Sequence, residues 1–249
     1  MMRGTSAKPI VLVDRRDAPS MASAHTLGRS VEDALTAADP KLGRVIAAVI
    51  ARNGPQQITP SRVTSPFEAL ARAIVYQSVS GKAAAAIFSR LRERVGRPFS
   101  PAKVLAITDR SILAIGLSKG KTRAIRNLAE WFAANPKAAK ALPGFPDEEV
   151  VGALTSIAGI GAWTANVFLI FNLGRLDVTP ASDLGIRRGV QLAYKLREVA
   201  TPRQVQQKAE LWRPYRSIAS IYLWTAVKLS LSAVDLRGQS GHRQFGHSR

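Results

Sequence analysis

The sequence has 249 residues, of which 46% are hydrophobic and none is cysteine, and it carries a formal net charge of +19 at pH 7. The hydrophobic fraction is enough for a substantial core, and the lack of cysteine excludes disulfides, Cys-ligated zinc and iron–sulfur clusters. No apolar run reaches the length of a membrane-spanning helix, so we expect a soluble protein that does not bind membranes.

The two ends of the chain show no hydrophobic periodicity. Residues 1–29 and 237–249 are rich in small and charged residues, and we predict that both are flexible basic tails. Each tail contributes a net charge of +3, so the remaining +13 belongs to residues 30–236. A basic surface on the folded part favours a polyanionic partner, most often nucleic acid, although a solvated charged surface would give the same count.

Residues 30–236 have the apolar spacing of helices almost throughout. Pro66, Pro101 and Pro214 stand where the first turn of a helix is expected. The predicted helices are 31–37, 41–51, 66–79, 81–95, 101–106, 109–115, 119–134, 147–157, 162–173, 183–196, 201–210 and 214–231. An alternating β pattern is nearly absent apart from residues 57–63. We therefore predict one compact all-α domain.

The segment GLSKGKT (116–122) resembles a phosphate-binding P-loop. Only three residues separate its glycines, however, where the P-loop has four, and a predicted helix precedes it in place of a strand. We therefore predict no nucleotide site at this segment. The positive side chains of Lys119, Lys121 and Arg123 could still contact a phosphate backbone.

The segment 147–174 is predicted to form a helical hairpin with Gly159 and Gly161 at its corner. A helix usually begins at Ser, Thr, Asp or Asn, whose side chain caps free N–H groups. Glycine instead leaves the backbone N–H groups open at the positive end of the helix, where a phosphate oxygen binds well. The pattern predicts a phosphate-binding corner, and a corner whose glycines only permit close packing is the alternative.

A second feature follows 22 residues after Gly161. Asp183 comes after a proline-containing loop and opens the next predicted helix, so helix capping explains this residue by itself. A helix N terminus also holds a carboxylate in place, which suits a group that stabilises a developing positive charge. The two roles are compatible.

The hairpin, the spacing and the acid together resemble the helix-hairpin-helix DNA glycosylases, and among them the alkylation-repair branch, DNA-3-methyladenine glycosylase II. The resemblance runs from about residue 65 to 231. Five blocks carry it in chain order: 66–87, 115–129, 154–171, the segment around Asp183, and 212–224. It implies two helical lobes that flank a cleft for DNA and a flipped-out base.

The resemblance assigns a role to each matching residue. Asp183 is expected to be the catalytic carboxylate that faces the sugar of the flipped-out nucleotide. Trp163 and Trp224 are expected to form aromatic walls of the base pocket, with core packing as the alternative. Gln77 and Ser78 match the wedge that fills the gap left by the extruded base.

Other matching residues are expected to contact the DNA backbone. They are the residues of the hairpin corner and two arginines: Gly159, Gly161, Ala162, Thr164, Arg187 and Arg188. In relatives, carbonyl groups of the hairpin also hold a monovalent cation, Na⁺ or K⁺, that bridges to a phosphate. The matching carbonyls are those of Thr155, Ile157 and Ile160. The resemblance implies no other cofactor.

Trp163 also distinguishes two kinds of chemistry. Relatives that cut the DNA backbone have a nucleophilic lysine at this position, and tryptophan cannot form the Schiff base that such cutting requires. The resemblance therefore implies a monofunctional enzyme without AP-lyase activity. It would excise alkylated purines such as 3-methyladenine and 7-methylguanine by hydrolysis of the N-glycosidic bond, and leave an abasic site in base excision repair.

Val167 and Leu184 depart from the resemblance, because relatives have further aromatic residues at these positions. They predict a less aromatic base pocket. Two other functions are compatible with the sequence: a non-catalytic DNA-binding module, and a glycosylase for a deaminated or oxidised base. We expect a monomer that acts on double-stranded DNA, in the bacterial cytoplasm at the nucleoid or in a eukaryotic nucleus.

Overall fold

The computed structural model of the protein describes three ranges of the chain, 30–58, 65–79 and 81–229. The predicted tails 1–29 and 237–249, the end of the predicted domain at 230–236 and most of the β-like stretch 57–63 lie outside these ranges. Within them, the regular elements are all helices, without a strand. The predicted all-α fold is therefore confirmed.

Thirteen α-helices occur in the described ranges. In chain order they are α1 (Val31–Ala38), α2 (Pro40–Asn53), α3 (Pro66–Tyr76), α4 (Gly81–Val95), α5 (Pro101–Ala106), α6 (Asp109–Ala114), α7 (Lys119–Ala134), α8 (Pro136–Ala141), α9 (Asp147–Thr155), α10 (Ala162–Phe171), α11 (Leu184–Tyr194), α12 (Pro202–Ala209) and α13 (Arg216–Lys228). None of these helices combines the length and the apolar character needed to cross a bilayer.

The helix starts follow local capping chemistry. Ser65 caps α3 and Ser100 caps α5, and in each case proline occupies the first turn, as predicted. The prediction is wrong for Pro214, because α13 begins only at Arg216. It also missed α8, whose six residues are too few to show a helical period.

The helices pack in two groups. Helices α1, α2, α11, α12 and α13 bring the two ends of the described chain together, and α3 to α10 form the second group around α3, α7 and α10. A continuous set of buried apolar side chains runs through both groups. A cleft opens between them, with α3 and α10 on one side and α13 with the start of α11 on the other. This arrangement matches the predicted two lobes.

Candidate active site

Asp183 lies at the N terminus of α11, where its carboxylate lines the cleft. Its Oδ1 atom accepts the backbone N–H of Ile186 at 2.9 Å and the indole N–H of Trp224 at 2.7 Å. Its Oδ2 atom accepts the indole N–H of Trp163 at 2.6 Å. A carboxylate has about four acceptor positions, so these three donors fix its orientation and leave one position for another partner.

The cleft beside Asp183 has a volume of about 900 Å³. Its aromatic lining residues are Tyr76, Phe88, Trp163, Phe168, Phe171 and Trp224. Val167 lines the cleft and adds no ring to it, whereas α3, α4 and α10 supply aromatic rings that were not predicted from the sequence. A pocket less aromatic than that of relatives stays a prediction. Leu184 does not line it and is 48% exposed.

Trp163 and Trp224 are half-buried and both line the cleft, and Trp224 also packs against the buried core. The ring of Phe171 stacks on Trp224, with 5.6 Å between the ring centroids and 30° between the planes. The edge of the Trp224 indole meets Asp183, and one of its faces meets Phe171. The same side chain thus joins the aromatic wall of the cleft to the carboxylate.

Three charged side chains besides Asp183 line the cleft. Glu68 accepts a hydrogen bond from Arg92 at 2.8 Å, and the guanidinium of Arg72 lies 4.5 Å from the centroid of the Tyr76 ring. No lysine is among the described residues that line the cleft. The cleft therefore presents a carboxylate and aromatic faces, without an amine nucleophile from the described part of the chain.

The hairpin of α9 and α10 packs against α7. Gly159 has a φ of +94°, and a Cβ atom on it would lie 2.5 Å from the Cβ of Ala124. Nearby, the side-chain amide of Asn127 donates to the carbonyl of Ala158 at 2.9 Å. For Gly159 the structure thus favours the packing alternative: glycine is needed here because α7 approaches closely and the backbone is left-handed.

Gly161 is different, since a Cβ atom on it would meet nothing within 4 Å. It is the N-cap of α10, and no side chain caps this helix. Gly161 and Ala162 are exposed, whereas the side chain of Thr164 is buried. The helix therefore begins with open backbone N–H groups, which is the geometry expected of a phosphate-binding corner.

The end of α3 is tied to the hairpin through Gln77. Its amide nitrogen donates to the hydroxyl of Thr164 at 2.8 Å. The ammonium of Lys121 donates to the backbone carbonyls of Val75, at 2.8 Å, and of Gln77. Lys121, expected as a phosphate-binding cation, is used inside the protein instead, and burial lowers its pKa.

Comparison with known proteins agrees with this geometry. Residues 71–214 match the HhH-GPD superfamily base excision DNA repair proteins. The chain is 35% identical over 169 residues to "DNA-3-methyladenine glycosylase 1" of Schizosaccharomyces pombe, which covers 66% of this chain and 74% of the relative. The chain belongs to the HhH-GPD superfamily.

Solved structures of HhH-GPD proteins have the same fold. The S. pombe 3-methyladenine DNA glycosylase in complex with abasic DNA superposes with a TM-score of 0.71 at 31% identity, over 80% of this chain and 97% of that one. The DNA-3-methyladenine glycosidase from Bacillus halodurans superposes with a TM-score of 0.66 at 31% identity, over 82% of this chain and 93% of that one. The predicted superfamily and its alkylation-repair branch are confirmed.

Of the two residues expected at the wedge, Gln77 is half-buried and donates to Thr164, whereas Ser78 lies on the surface. Ser78 is exposed with a left-handed φ of 54°. The helix α3 already ends at Tyr76, three residues before the predicted position 79, because its C-cap Gln77 has an extended ψ of 129°. Val79 beside it is 39% exposed. The wedge therefore presents a small hydroxyl next to an apolar side chain, and its insertion into DNA stays a prediction.

The two arginines expected at the DNA backbone have different surroundings. The guanidinium of Arg187 donates to the carbonyl of Ala200 at 2.6 Å, so this side chain is partly used to hold the loop before α12. Arg188 is exposed and has no hydrogen-bond or ion-pair partner among the described residues. Arg188 is thus the better placed of the two for a phosphate contact, and this contact stays a prediction.

The carbonyl groups expected to hold a monovalent cation lie in the turn between α9 and α10. The Ile157 carbonyl accepts the N–H of Ile160 at 3.0 Å. No described residue donates to the carbonyls of Thr155 or Ile160. Two of the three expected carbonyl oxygens thus lack a protein donor, which suits Na⁺ or K⁺, and binding of such an ion stays a prediction. Among the described residues, no group of three or more His, Asp or Glu side chains is placed to hold a metal ion.

The contribution of α3 to the cleft was not predicted from the sequence. Ala69, Arg72, Ala73 and Tyr76 line it together. Their spacing of three and four residues places them on one face of a helix, which is a signal the sequence contains. Phe88 on α4 and Phe171 on α10 carry no comparable signal, because ordinary core packing explains an aromatic residue on a helix equally well.

Proposed function

We propose that this protein is a monofunctional DNA glycosylase that removes alkylated purines, of the 3-methyladenine and 7-methylguanine type, from double-stranded DNA. The observation that carries the proposal is the Asp183 carboxylate, which Trp163 and Trp224 hold in an aromatic cleft beside a helical hairpin. The names of the matched relatives, DNA-3-methyladenine glycosylases, support the same substrate class.

The cleft suits a cationic base. Alkylation at N3 or N7 makes a purine positively charged, and the faces of aromatic rings attract cations more than neutral rings. To enter the cleft, the nucleotide has to leave the duplex, which costs a few kcal/mol and costs least where damage weakens pairing or stacking. The aromatic lining would then hold the flipped-out base.

Asp183 is assigned an electrostatic role. As the N-glycosidic bond breaks, the base takes the bonding electron pair and becomes neutral, and positive charge develops on the sugar. A fixed negative carboxylate stabilises that charge, and the oxygen of a water molecule then bonds to C1′ and releases its proton to solvent. Because Asp183 already accepts three N–H bonds, it does not need to reorient during the reaction.

The lack of lyase activity is part of the proposal. A Schiff base with the sugar needs an amine in the site. Trp163 occupies the position of the lyase lysine in the resemblance, and no described lysine lines the cleft. We therefore expect an abasic site as the product, with the strand left intact.

The DNA backbone would be bound mainly by the open N–H groups at Gly161 and Ala162, with Arg188 as an additional cation. Thr155, Ile157 and Ile160 would hold Na⁺ or K⁺, whose positive charge would add to the attraction for the phosphate. Phosphate contacts of this kind do not depend on sequence. The enzyme would act as a monomer where cellular DNA lies, in a bacterial cytoplasm or a eukaryotic nucleus.

Duplex DNA treated with a methylating agent tests the proposal. The protein is incubated with this DNA, released bases are identified by chromatography, and borohydride is added to a parallel sample to trap covalent adducts. We expect free 3-methyladenine and 7-methylguanine and no adduct. Binding without release would instead indicate a DNA-binding module, release only of deaminated or oxidised bases another glycosylase, and a trapped adduct a lyase.

A further inference from the structure

Gly185 lies in the first turn of α11, where the structure gives it an unusual environment. A Cβ atom on Gly185 would lie 2.8 Å from Cδ1 and 3.1 Å from Nε1 of Trp224, and 3.0 Å from Oδ1 of Asp183. These atoms include both partners of the hydrogen bond between Trp224 and Asp183. Carbon atoms in contact are normally about 3.5 to 4.0 Å apart, so no side chain fits here without a shift.

Backbone conformation does not explain this glycine. Gly185 is within a regular helix and has no positive φ. Glycine is less favourable than alanine at such a position, so the sequence accepts a cost in helix stability. The space that a side chain would occupy is taken by the edge of the Trp224 indole. Space for this indole is therefore the reason for glycine that the structure supports.

We infer that Gly185 is a positioning residue: its missing side chain allows the Trp224 N–H to reach the carboxylate of Asp183. The inference rests on the proposed function, in which Asp183 stabilises the developing sugar cation. It extends that function to a residue that has no side chain of its own and acts through Trp224. Trp224 also has little freedom to retreat, because Phe171 stacks on its ring at 5.6 Å.

A second glycine on the same helix, Gly189, serves helix packing alone and shows by comparison what is particular to Gly185. Gly189, one turn later, would place a Cβ atom 2.7 Å from the Cβ of Leu223 on α13. Both glycines therefore allow α11 and α13 to approach closely. Only at Gly185 do the atoms in the way belong to the Trp224–Asp183 hydrogen bond, so only Gly185 acts directly on the orientation of the carboxylate.

The first test is the single-turnover rate of base release from methylated duplex DNA by Gly185→Ala. We expect a loss of about tenfold, the usual order for losing one hydrogen bond to a charged group, with duplex affinity unchanged. Gly120→Ala is the matched control, because Gly120 is also helical and a Cβ atom there meets nothing within 4 Å. A Gly185→Ala rate equal to that of the control would overturn the inference.

Combination with Trp224→Phe shows whether the effect passes through Trp224. Phenylalanine has no N–H and is smaller, so the double variant should be no slower than Trp224→Phe alone. Losses that multiply would contradict the inference, because they would indicate independent effects. Should Gly185→Ala fail to fold, its combination with Trp224→Ala, which removes the whole indole ring, should fold again, and failure of both would also contradict the inference.

An NMR measurement without substrate separates this inference from the proposed function. The protein has four tryptophans, hence four indole N–H signals, and Gly185→Ala should shift the Trp224 signal while that of Trp212 stays. Assignment uses Trp224→Phe, which removes the signal. An unshifted Trp224 signal would refute the inference even in an active enzyme, whereas a wild type that releases no base would refute only the proposed function.

Discussion

Two aspartates, Asp39 and Asp183, occupy equivalent local positions in the two halves of the described chain. Each is the N-cap of a helix and accepts backbone N–H groups at its start. Each also accepts an indole N–H: Trp212 donates to Asp39 at 2.9 Å, and Trp163 donates to Asp183 at 2.6 Å. The local chemistry of the two carboxylates is almost the same.

Their access to a partner is different. Asp39 is 3% exposed and accepts four hydrogen bonds, two from the backbone, one from Trp212 and one from the hydroxyl of Tyr194. Asp183 accepts three and lines the cleft. A capped aspartate held by aromatic donors is thus not by itself a catalytic group. The open acceptor position in a cleft makes the difference.

The largest expected effect on stability is that of Asp39→Asn. Asparagine still caps α2, but it replaces one acceptor oxygen with an NH₂ group that faces the donors of Tyr194 and Trp212. We expect a loss of about 3 kcal/mol in the free energy of unfolding, measured by chemical denaturation, because bonds to a buried charge are lost. The single-turnover rate of the folded fraction should be unchanged. Slower base release by Asp39→Asn at normal stability would contradict the difference drawn between the two aspartates.

The two glycines of the hairpin corner should also differ in what their substitution changes: stability for Gly159 and DNA binding for Gly161. Gly159→Ala should cost about 2 kcal/mol of stability, since it forces a left-handed residue against Ala124. Gly161→Asp should keep or improve stability, because Asp caps α10, yet weaken binding to any duplex sequence alike. Denaturation and DNA-binding titrations measure the two effects. Unchanged affinity of Gly161→Asp would indicate that no phosphate binds at this corner.

Trp163 and Trp212 allow the same comparison with one substitution, because each donates its indole N–H to one of the two aspartates. Trp163→Phe removes the N–H that Oδ2 of Asp183 accepts, and we expect about tenfold slower base release at nearly constant stability. Trp212→Phe removes the equivalent bond to Asp39 and should lower stability by about 2 kcal/mol at constant rate. Single-turnover assays and denaturation of both variants test this pair. Similar rate losses in both would contradict the difference drawn between the aspartates.

The smallest effect appears only at alkaline pH. Burial and the neighbouring Asp39 raise the pKa of Tyr194, so the phenol stays protonated in the folded protein while it ionises in the unfolded chain. Stability should then fall as the pH rises above about 10, by up to about 1.4 kcal/mol per pH unit for one group. Chemical denaturation at several pH values should show that the free energy of unfolding falls less steeply with pH in Tyr194→Phe than in the wild type. Equal slopes would rule out this linkage.

Residues close in sequence made much of the fold predictable. Proline after a capping serine marks the starts of α3 and α5, and Asp183 was expected at the start of a helix, where it lies. The start of α13 was not predictable in this way, because Pro214 precedes the helix by two residues. Local signals are reliable where the chain itself supplies the capping group.

The contacts that build the site depend on distant residues. Asp183 is 41 positions from Trp224 in sequence, and no local pattern shows that their side chains meet. The same limit applies to Gly159, expected to admit a phosphate, since Ala124 on another helix occupies that space. The resemblance predicted which residues lie at the site. Why glycine occurs at a given position could be read only from the side chains that pack around it in the folded structure.

The most direct test of the whole account is base release by Asp183→Asn in a single turnover, with duplex affinity measured on the same preparation. Asparagine keeps the cap of α11 and removes the negative charge, so we expect a rate at least about a hundredfold lower with affinity for the duplex retained. A rate within about twofold of the wild type would contradict the central role of this carboxylate.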